Sequence, residues 1–467
     1  MVATTFAMSP FAILAISVAF VILTIGVFRL HPFFALILSA VVVGLLSAVP
    51  GTDPYRFANI VDSVMSEAGV TMGRLGFTIA MAAVIGVCLL ESGAADKIIR
   101  RMSALFGERH ASIALLLGGF MLAGPVFVDT VLMLLLPLAR ALSLRTGKHY
   151  LMNALVIAGG AAIANGTIPP APGPLFVAEA LKVQLGIAMV AGLVFGIIPL
   201  AATWLLARWF DRRMPVPVRA TSGSTLESLE AIAARPESEL PPLWLSLFPV
   251  IVPMVLIAVA SVIGPFHAAL PPTLAQLMEF LGNKNVALAI GGTASVIIYA
   301  RQKQVHWRAA ARVLSTPLET AGVIILIIAA GGAYGAMIKN AGVGDSVKSL
   351  AGGHTINYVF LAWLVAAVIR AAQGSATVAT IAAVGIMLSI AGDAGFGVHP
   401  VYILLAIGFG SKFLAWMNDA GFWVVSRIGG LTQEETLRSW TPTVSVISLV
   451  GLIEVLVASW MFPALPF

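Results

Sequence analysis

The chain has 467 residues, 59% of them hydrophobic and only 10% charged, with a single cysteine, Cys88. Soluble domains carry about 25% charged residues; with a mean hydropathy of +0.99, the composition excludes a soluble globular protein and defines a polytopic helical protein of the lipid bilayer. The net charge of +6 does not mark a nucleic-acid partner, because the basic residues fall between apolar runs, and one cysteine excludes a disulfide framework or a thiolate metal cluster.

Apolar runs of about 17–25 residues mark membrane spans. The first, Phe11–Phe28, has no basic region before it and no small-residue cleavage site, so it reads as a span and not as a cleaved signal. Pro32–Ala48 and Met72–Leu90 are the next expected crossings. Ala111–Ala139 is apolar too, but is interrupted by "LAGPVFVDT" (Leu122–Thr130). Its flanks are both basic: Lys97, Arg100, Arg101 and Arg109 before it, Arg140, Arg145 and Lys148 after it. The positive-inside rule puts both flanks in the cytoplasm, which makes the stretch a re-entrant hairpin.

Tyr150–Leu181 is a crossing with four prolines, Pro169, Pro170, Pro172 and Pro174, inside six residues. A helix interior disfavours each by about 3 kcal/mol. In hydrocarbon the freed carbonyls also need partners, so such a break is tolerable only where it lines a cavity. Ile187–Ala207 closes the first half. The polar stretch Asp211–Pro242 reads as a linker.

Beyond it, crossings are expected at Leu243–Gly264, Val286–Ala300, Pro317–Ile338, Pro400–Ser426 and Thr443–Phe462. Of these, Pro400–Ser426 is broken at "MNDAG", and Ile356–Ala391 is a second hairpin interrupted at "RAAQGSATVAT" (Arg370–Thr380). With the N-terminus outside, 19 Lys and Arg residues fall on the cytoplasmic side and 6 outside, with Arg370 and Lys412 left inside the membrane.

The expected organisation is therefore a first repeat over 1–210, with its hairpin at about 111–139 and broken helix at about 150–181. A cytoplasmic linker follows over 211–242. A second repeat spans 243–467, with its hairpin at about 356–391 and broken helix at about 400–426. "LESGAADKI" (Leu90–Ile98) resembles "KNAGVGDSV" (Lys339–Val347) at a separation of 249 residues, and the hairpins and breaks recur at similar separations. Five crossings per half is an odd number, so the second half is inverted. Inverted repeats with paired broken helices point to a secondary transporter whose site lies at the membrane midplane.

"GPVFVDTVLMLLLPLA", "IPPAPGP", "GSATVAT" and above all "NDAGFWVVSRIGGLTQEETLRSWT" resemble the gluconate permease family of proton symporters, over nearly the whole chain. The resemblance implies uptake of a sugar acid such as gluconate, driven by protons across the bacterial inner membrane, with no cofactor. The wider ion-transporter superfamily implies an elevator-type homodimer. Members usually show "HxxxPPHPGP" and a histidine just before "xND"; this chain has Asn165, Ala171 and Trp416 at those places, and Asp129 where the hairpin acid is commonly Glu. These departures bear on substrate identity and proton handling, not on the fold.

For such a carboxylate, half-helix N-termini supply positive potential without a permanent charge. The tips carry small residues, Gly124 in the first hairpin and Gly374 and Ser375 in the second, that let backbone approach a ligand. Ser375, Thr377 and Asn418 could bond substrate hydroxyls, with Asn165, Thr167 and Gly173 contributing from the first break. The bland alternative is that such residues only pack helices or bond the preceding turn. Intramembrane charge is the sharper signal, because a charged residue there needs a partner or water. Asp129 and Asp419 are the candidate ion-coupling acids and Arg370 a candidate carboxylate ligand, with pairing among these charges as the structural alternative. Lys412 could stand as a tethered cation beside Asp419, and Glu454 ranks lower.

The seven histidines lie at span ends or in loops, and no HExxH helix is present, so no metal site is expected. Asp393 lies in a glycine-rich setting without a further protease motif. Sodium coupling on the same fold is the nearest alternative; a membrane-embedded enzyme or a passive channel are the alternatives of other classes.

Overall fold

Proline, glycine and small polar residues set the helix ends of this protein. The computed structural model describes residues 8–47, 56–107, 110–124, 127–146, 149–219, 236–263, 271–306, 312–341, 357–392 and 395–464. Residues 220–235 of the expected linker, Asp393, and most of the segment that resembles Leu90–Ile98 lie outside them.

Helix α1 (Pro10–Ile22) starts on a proline, with Ser9 accepting from the Ala12 N–H at 3.3 Å, and runs on as a π turn over Leu23–Val27. After α2 (Pro32–Ser47) comes α3 (Arg56–Glu91), 36 residues long. At 1.5 Å per residue α3 measures about 54 Å, well beyond a hydrocarbon core of about 30 Å. Hydropathy marks only its second half, Met72–Leu90; the first half continues the same helix with Asp62 and Glu67 among its residues.

Next come the short α4 (Ala94–Phe106), then α5 (Ala111–Leu122) and α6 (Val128–Thr146), which flank the first interruption. Helix α7 (Tyr150–Thr167) ends before Pro169 and Pro170, and α8 (Pro172–Ala180) restarts on a proline at its first position. Helices α9 (Leu185–Val194) and α10 (Ile197–Arg213) complete this half. The second half holds α11 (Leu243–Ile263), α12 (Pro272–Gly282), α13 (Lys284–Gln302), α14 (Ser315–Asn340), α15 (Tyr358–Gln373), α16 (Ala376–Ala391), α17 (Pro400–Gly410), α18 (Ala420–Gly429) and α19 (Gln433–Met461). Helix α12 carried no span signal. No strand occurs among the described residues.

Among the described residues, six stretches are long and apolar enough to cross a membrane: α3, α7 with α8, α9 with α10, α11, α14 and α19. The protein is thus a multi-pass helical membrane protein. The other expected crossings fall on shorter or interrupted elements (α1 with its π turn, α2, and α17 with α18) or, for the 19-residue α13, on a helix less apolar than the six.

Helices α7 and α17 form the centre. Every residue of α7 except Asn165 is buried, and every residue of α17 except Pro400; a helix apolar on all faces belongs inside a bundle. Around them the packing comes in pairs. Helix α5 lies on α7 and α15 on α17; α10 lies on α7 and α19 on α17; α6 meets α18 and α8 meets α16. A second group, α2, α3, α13 and α14, packs mainly on itself, and α14 reaches across to α16.

Candidate functional site

Both helix interruptions of each half arrive at one cavity of about 340 Å³, within the size range of small-molecule sites. The first residues of four helices line it: Val128 of α6, Pro172 of α8, Ala376 of α16 and Ala420 of α18. The N-terminal turn of a helix has N–H groups without intrahelical partners and a partial positive charge. Four helix dipoles end on this space, and although Pro172 and Pro174 leave α8 almost without N–H groups to offer, the starts of α6, α16 and α18 supply them, so the environment favours an anion.

Local chemistry fixes two of these starts. Ser375 Oγ accepts from the Val378 N–H at 3.3 Å and caps α16. Asp419 Oδ1 accepts from the Gly421 N–H at 3.1 Å and caps α18. Between α15 and α16, Gly374 turns the chain with φ +87°, and a Cβ there would stand 2.1 Å from the Asn418 carbonyl oxygen. Only glycine meets both conditions. The second break is latched to the same tip, because Asn418 Nδ2 and Trp416 Nε1 both donate to the Ala371 carbonyl, at 2.9 and 3.1 Å.

The cavity holds four charged side chains. Arg370 and Asp419 form a bidentate pair, 2.7 Å between Nη2 and Oδ2 and 3.2 Å between Nη1 and Oδ1. Lys412, itself buried, donates from Nζ to Asn165 Oδ1 at 3.2 Å. Asp129 stands in the first turn of α6 and makes no ion pair among the described residues. Among the described residues, four buried polar atoms on the lining residues have no protein partner: Arg370 Nε, Gln373 Oε1, Asn418 Oδ1 and Trp440 Nε1. Buried polar groups are almost always bonded, so two donors and two acceptors gathered here suit a ligand with both acceptor and donor oxygens.

Of the sequence candidates, Asp129, Asn165, Arg370, Gly374, Ser375, Thr377, Asn418 and Asp419 line the cavity together. Gly124, Thr167 and Gly173 do not. Thr167 is fully buried and turns its hydroxyl back to the Ile163 carbonyl at 2.8 Å. Gly124 lies near Ile168 and Gly173 near Thr380, so both serve helix contact. Glu454 lies elsewhere, in a groove with Phe195 and Ile198. Sequence reasoning passed over Gln373 and Trp440, although both sit inside quoted motifs. Thr320 and Ile324 of α14 also line the cavity, and nothing local in the sequence marks them. Among the described residues no group of three or more His, Cys, Asp or Glu side chains could hold a metal ion.

The model of the GntP permease family matches residues 9–461. A gluconate permease of Pseudomonas aeruginosa is 32% identical over 92% of this chain and 93% of its own length. The Gnt-II system L-idonate transporter of Escherichia coli is 30% identical over 96% of this chain and 98% of its own. The high-affinity gluconate transporter of the same organism is also 30% identical, over 95% and 98%. Among solved structures, the Alcanivorax borkumensis YdaH transporter superposes with a TM-score of 0.65 at 14% identity, covering 93% of this chain and 99% of that one. That last likeness is one of fold.

Proposed function

Because this chain belongs to the GntP permease family, a transporter family and not one of enzymes, we propose that it imports a sugar acid or a small hydroxycarboxylate by proton symport across the bacterial inner membrane. The observation that carries this reading is the convergence of four helix N-termini on one cavity that also holds Arg370 and Lys412. A carboxylate is attracted there, and hydroxyl groups meet the free acceptors Gln373 Oε1 and Asn418 Oδ1. The sugar acids named for the relatives, gluconate and L-idonate, combine both group types.

The substrate-binding residues in this reading are Asp129, Asn165, Arg370, Gly374, Ser375, Thr377, Asn418 and Asp419, with Lys412, Gln373 and Trp440 added. Asp129 carries the coupling proton: it lines the cavity and has no cationic partner among the described residues. The paired contacts, α5 on α7 with α15 on α17 and α6 on α18 with α16 on α8, support two inverted repeats. The separate grouping of α2, α3, α13 and α14 supports an elevator in which the central helices slide against that group, within a homodimer.

The test is uptake of labelled gluconate into proteoliposomes. Accumulation driven by an inward proton gradient without sodium is the expected result. Accumulation that requires a sodium gradient would replace the proton with sodium. Equilibration without accumulation under either gradient would make the protein a passive channel.

A further inference from the structure

We propose that the ammonium group of Lys412 is a built-in cation that occupies the place where a transporter of this architecture would hold a free sodium ion. The proposal deepens the proton-symport reading above and rests on it for the role of the site in transport.

The argument begins at the end of α7. In a continuous helix the carbonyls of Asn165 and Gly166 would accept from the N–H groups of residues 169 and 170. Those residues are Pro169 and Pro170, which have no N–H. The C-terminal end of α7 therefore presents backbone oxygens without helical partners, with the negative end of the helix dipole behind them. Broken helices in transporters coordinate cations with such ends.

Lys412 comes to this place from the other broken helix. It lies two residues beyond the end of α17, and its side chain runs along Gly166 so closely that a Cβ on Gly166 would stand 2.6 Å from Lys412 Cε and 3.4 Å from Nζ. The helices allow this because they touch backbone to backbone: a Cβ on Gly408 would meet the Gly166 carbonyl oxygen at 2.2 Å. The ammonium group donates to Asn165 Oδ1 at 3.2 Å, belongs to a residue only 6% exposed, and has no carboxylate within ion-pairing distance among the described residues, although the Asp419–Arg370 pair stands near enough to act on it through space. An ammonium buried without a counter-ion needs concentrated negative potential. The half-helix C-termini of α7, along which the side chain runs, and of α17, just before Lys412, contribute such potential beside Asn165 Oδ1, the one hydrogen-bond partner of the ammonium group among the described residues.

With its cation tethered, the site has no charge deficit for sodium to fill. Removing the ammonium while leaving the oxygens in place should create a sodium requirement. The experiment uses the purified full chain, with NaCl compared against choline chloride at equal ionic strength. Thermal unfolding and gluconate binding are both read. The wild-type protein should be indifferent to the cation.

Lys412→Ala should unfold at a lower temperature in choline chloride and be stabilised by NaCl, as linkage to a bound ion requires. Its gluconate affinity should rise by about tenfold with sodium, an ordinary coupling between linked sites. Lys412→Gln, which keeps a hydrogen bond toward Asn165 but no charge, should behave in the same way and serves if the alanine variant does not fold. A wild-type protein stabilised by NaCl overturns the proposal whatever the variants do. So do variants that bind gluconate like wild type without any sodium effect, and variants whose lost binding sodium does not restore. Absence of sugar-acid binding by the wild type would instead defeat the functional reading, while the sodium dependence of unfolding still tests Lys412.

Discussion

Arg370 and Asp419 hold each other through both guanidinium ends, at 2.7 and 3.2 Å, on the wall of the same cavity. Arg370 closes α15 and Asp419 caps α18, so one ion pair ties the second hairpin to the second helix break. Removing one partner of a buried pair leaves a bare charge and typically destabilises by about 3–5 kcal/mol, whereas replacing both with apolar groups is often neutral. Asp419→Asn should accordingly lower the unfolding temperature sharply, and Arg370→Met with Asp419→Leu should recover much of the loss. Additive effects in this double-mutant cycle would show that the pair does not act as a unit.

The tip of the second hairpin allows no side chain. At φ +87°, with a Cβ position 2.1 Å from the Asn418 carbonyl oxygen, Gly374→Ala must push the hairpin off the second break. Uptake should fall to background while membrane insertion and expression persist. Wild-type uptake by this variant would mean that hairpin and break do not need their present contact.

Asn418 and Trp440 contribute unpartnered polar atoms to the cavity wall. Asn418→Ala and Trp440→Phe should each weaken gluconate binding by about tenfold or more, since a hydrogen bond to a charged group is worth about 1.5–3 kcal/mol. Ser375→Ala differs from these. Its hydroxyl accepts from the Val378 N–H, so its loss should also cost about 1 kcal/mol of stability through the helix cap. Isothermal binding measurements alongside thermal unfolding separate the two kinds of variant.

Asp129 opens α6 toward the cavity. Asp129→Asn should abolish uphill accumulation of labelled gluconate and preserve exchange of internal for external substrate. Accumulation at the wild-type level would assign the proton to another group.

The end of the stretch read from the sequence as a linker is held to α4 by charge: Glu237 meets Lys97 at 2.7 Å and Arg101 at 2.9 Å. The hydrogen bond from Lys97, with help from Arg101, keeps the Glu237 carboxyl below its ordinary value of 4.5. A carboxyl lowered in the folded state supports the contact above its unfolded value and loses it as the pH falls through the lowered one. Protease nicking of the linker, read at neutral pH and again after acidification below 4.5, should therefore rise in acid. Glu237→Gln should show the raised level already at neutral pH, and equal nicking of variant and wild type there would refute the tether.

What the sequence determined by itself was local. Prolines at 169, 170 and 172 have no N–H to give, so α7 must stop and α8 must restart wherever the rest of the chain goes. Gly374 and the capping side chains Ser375 and Asp419 set helix boundaries within a few residues of themselves, and few charges over long apolar runs required a membrane. The membrane-wide reading missed where hydropathy and helix part company, as in the first half of α3, where a polar stretch is still helical.

Only the tertiary structure decided which of these local features share a space. Lys412 meets Asn165 across 247 positions of sequence, and Thr320 of α14 reaches the cavity because α14 packs against α16. Thr167 and Ser375 are both small hydroxyl residues at helix interruptions, yet Thr167 ends its helix and bonds backward to Ile163, while Ser375 starts one and borders the cavity. Backbone geometry is settled by neighbours along the chain. The destination of a side chain is settled by the helices that close around it, and that depends on every contact in the bundle at once.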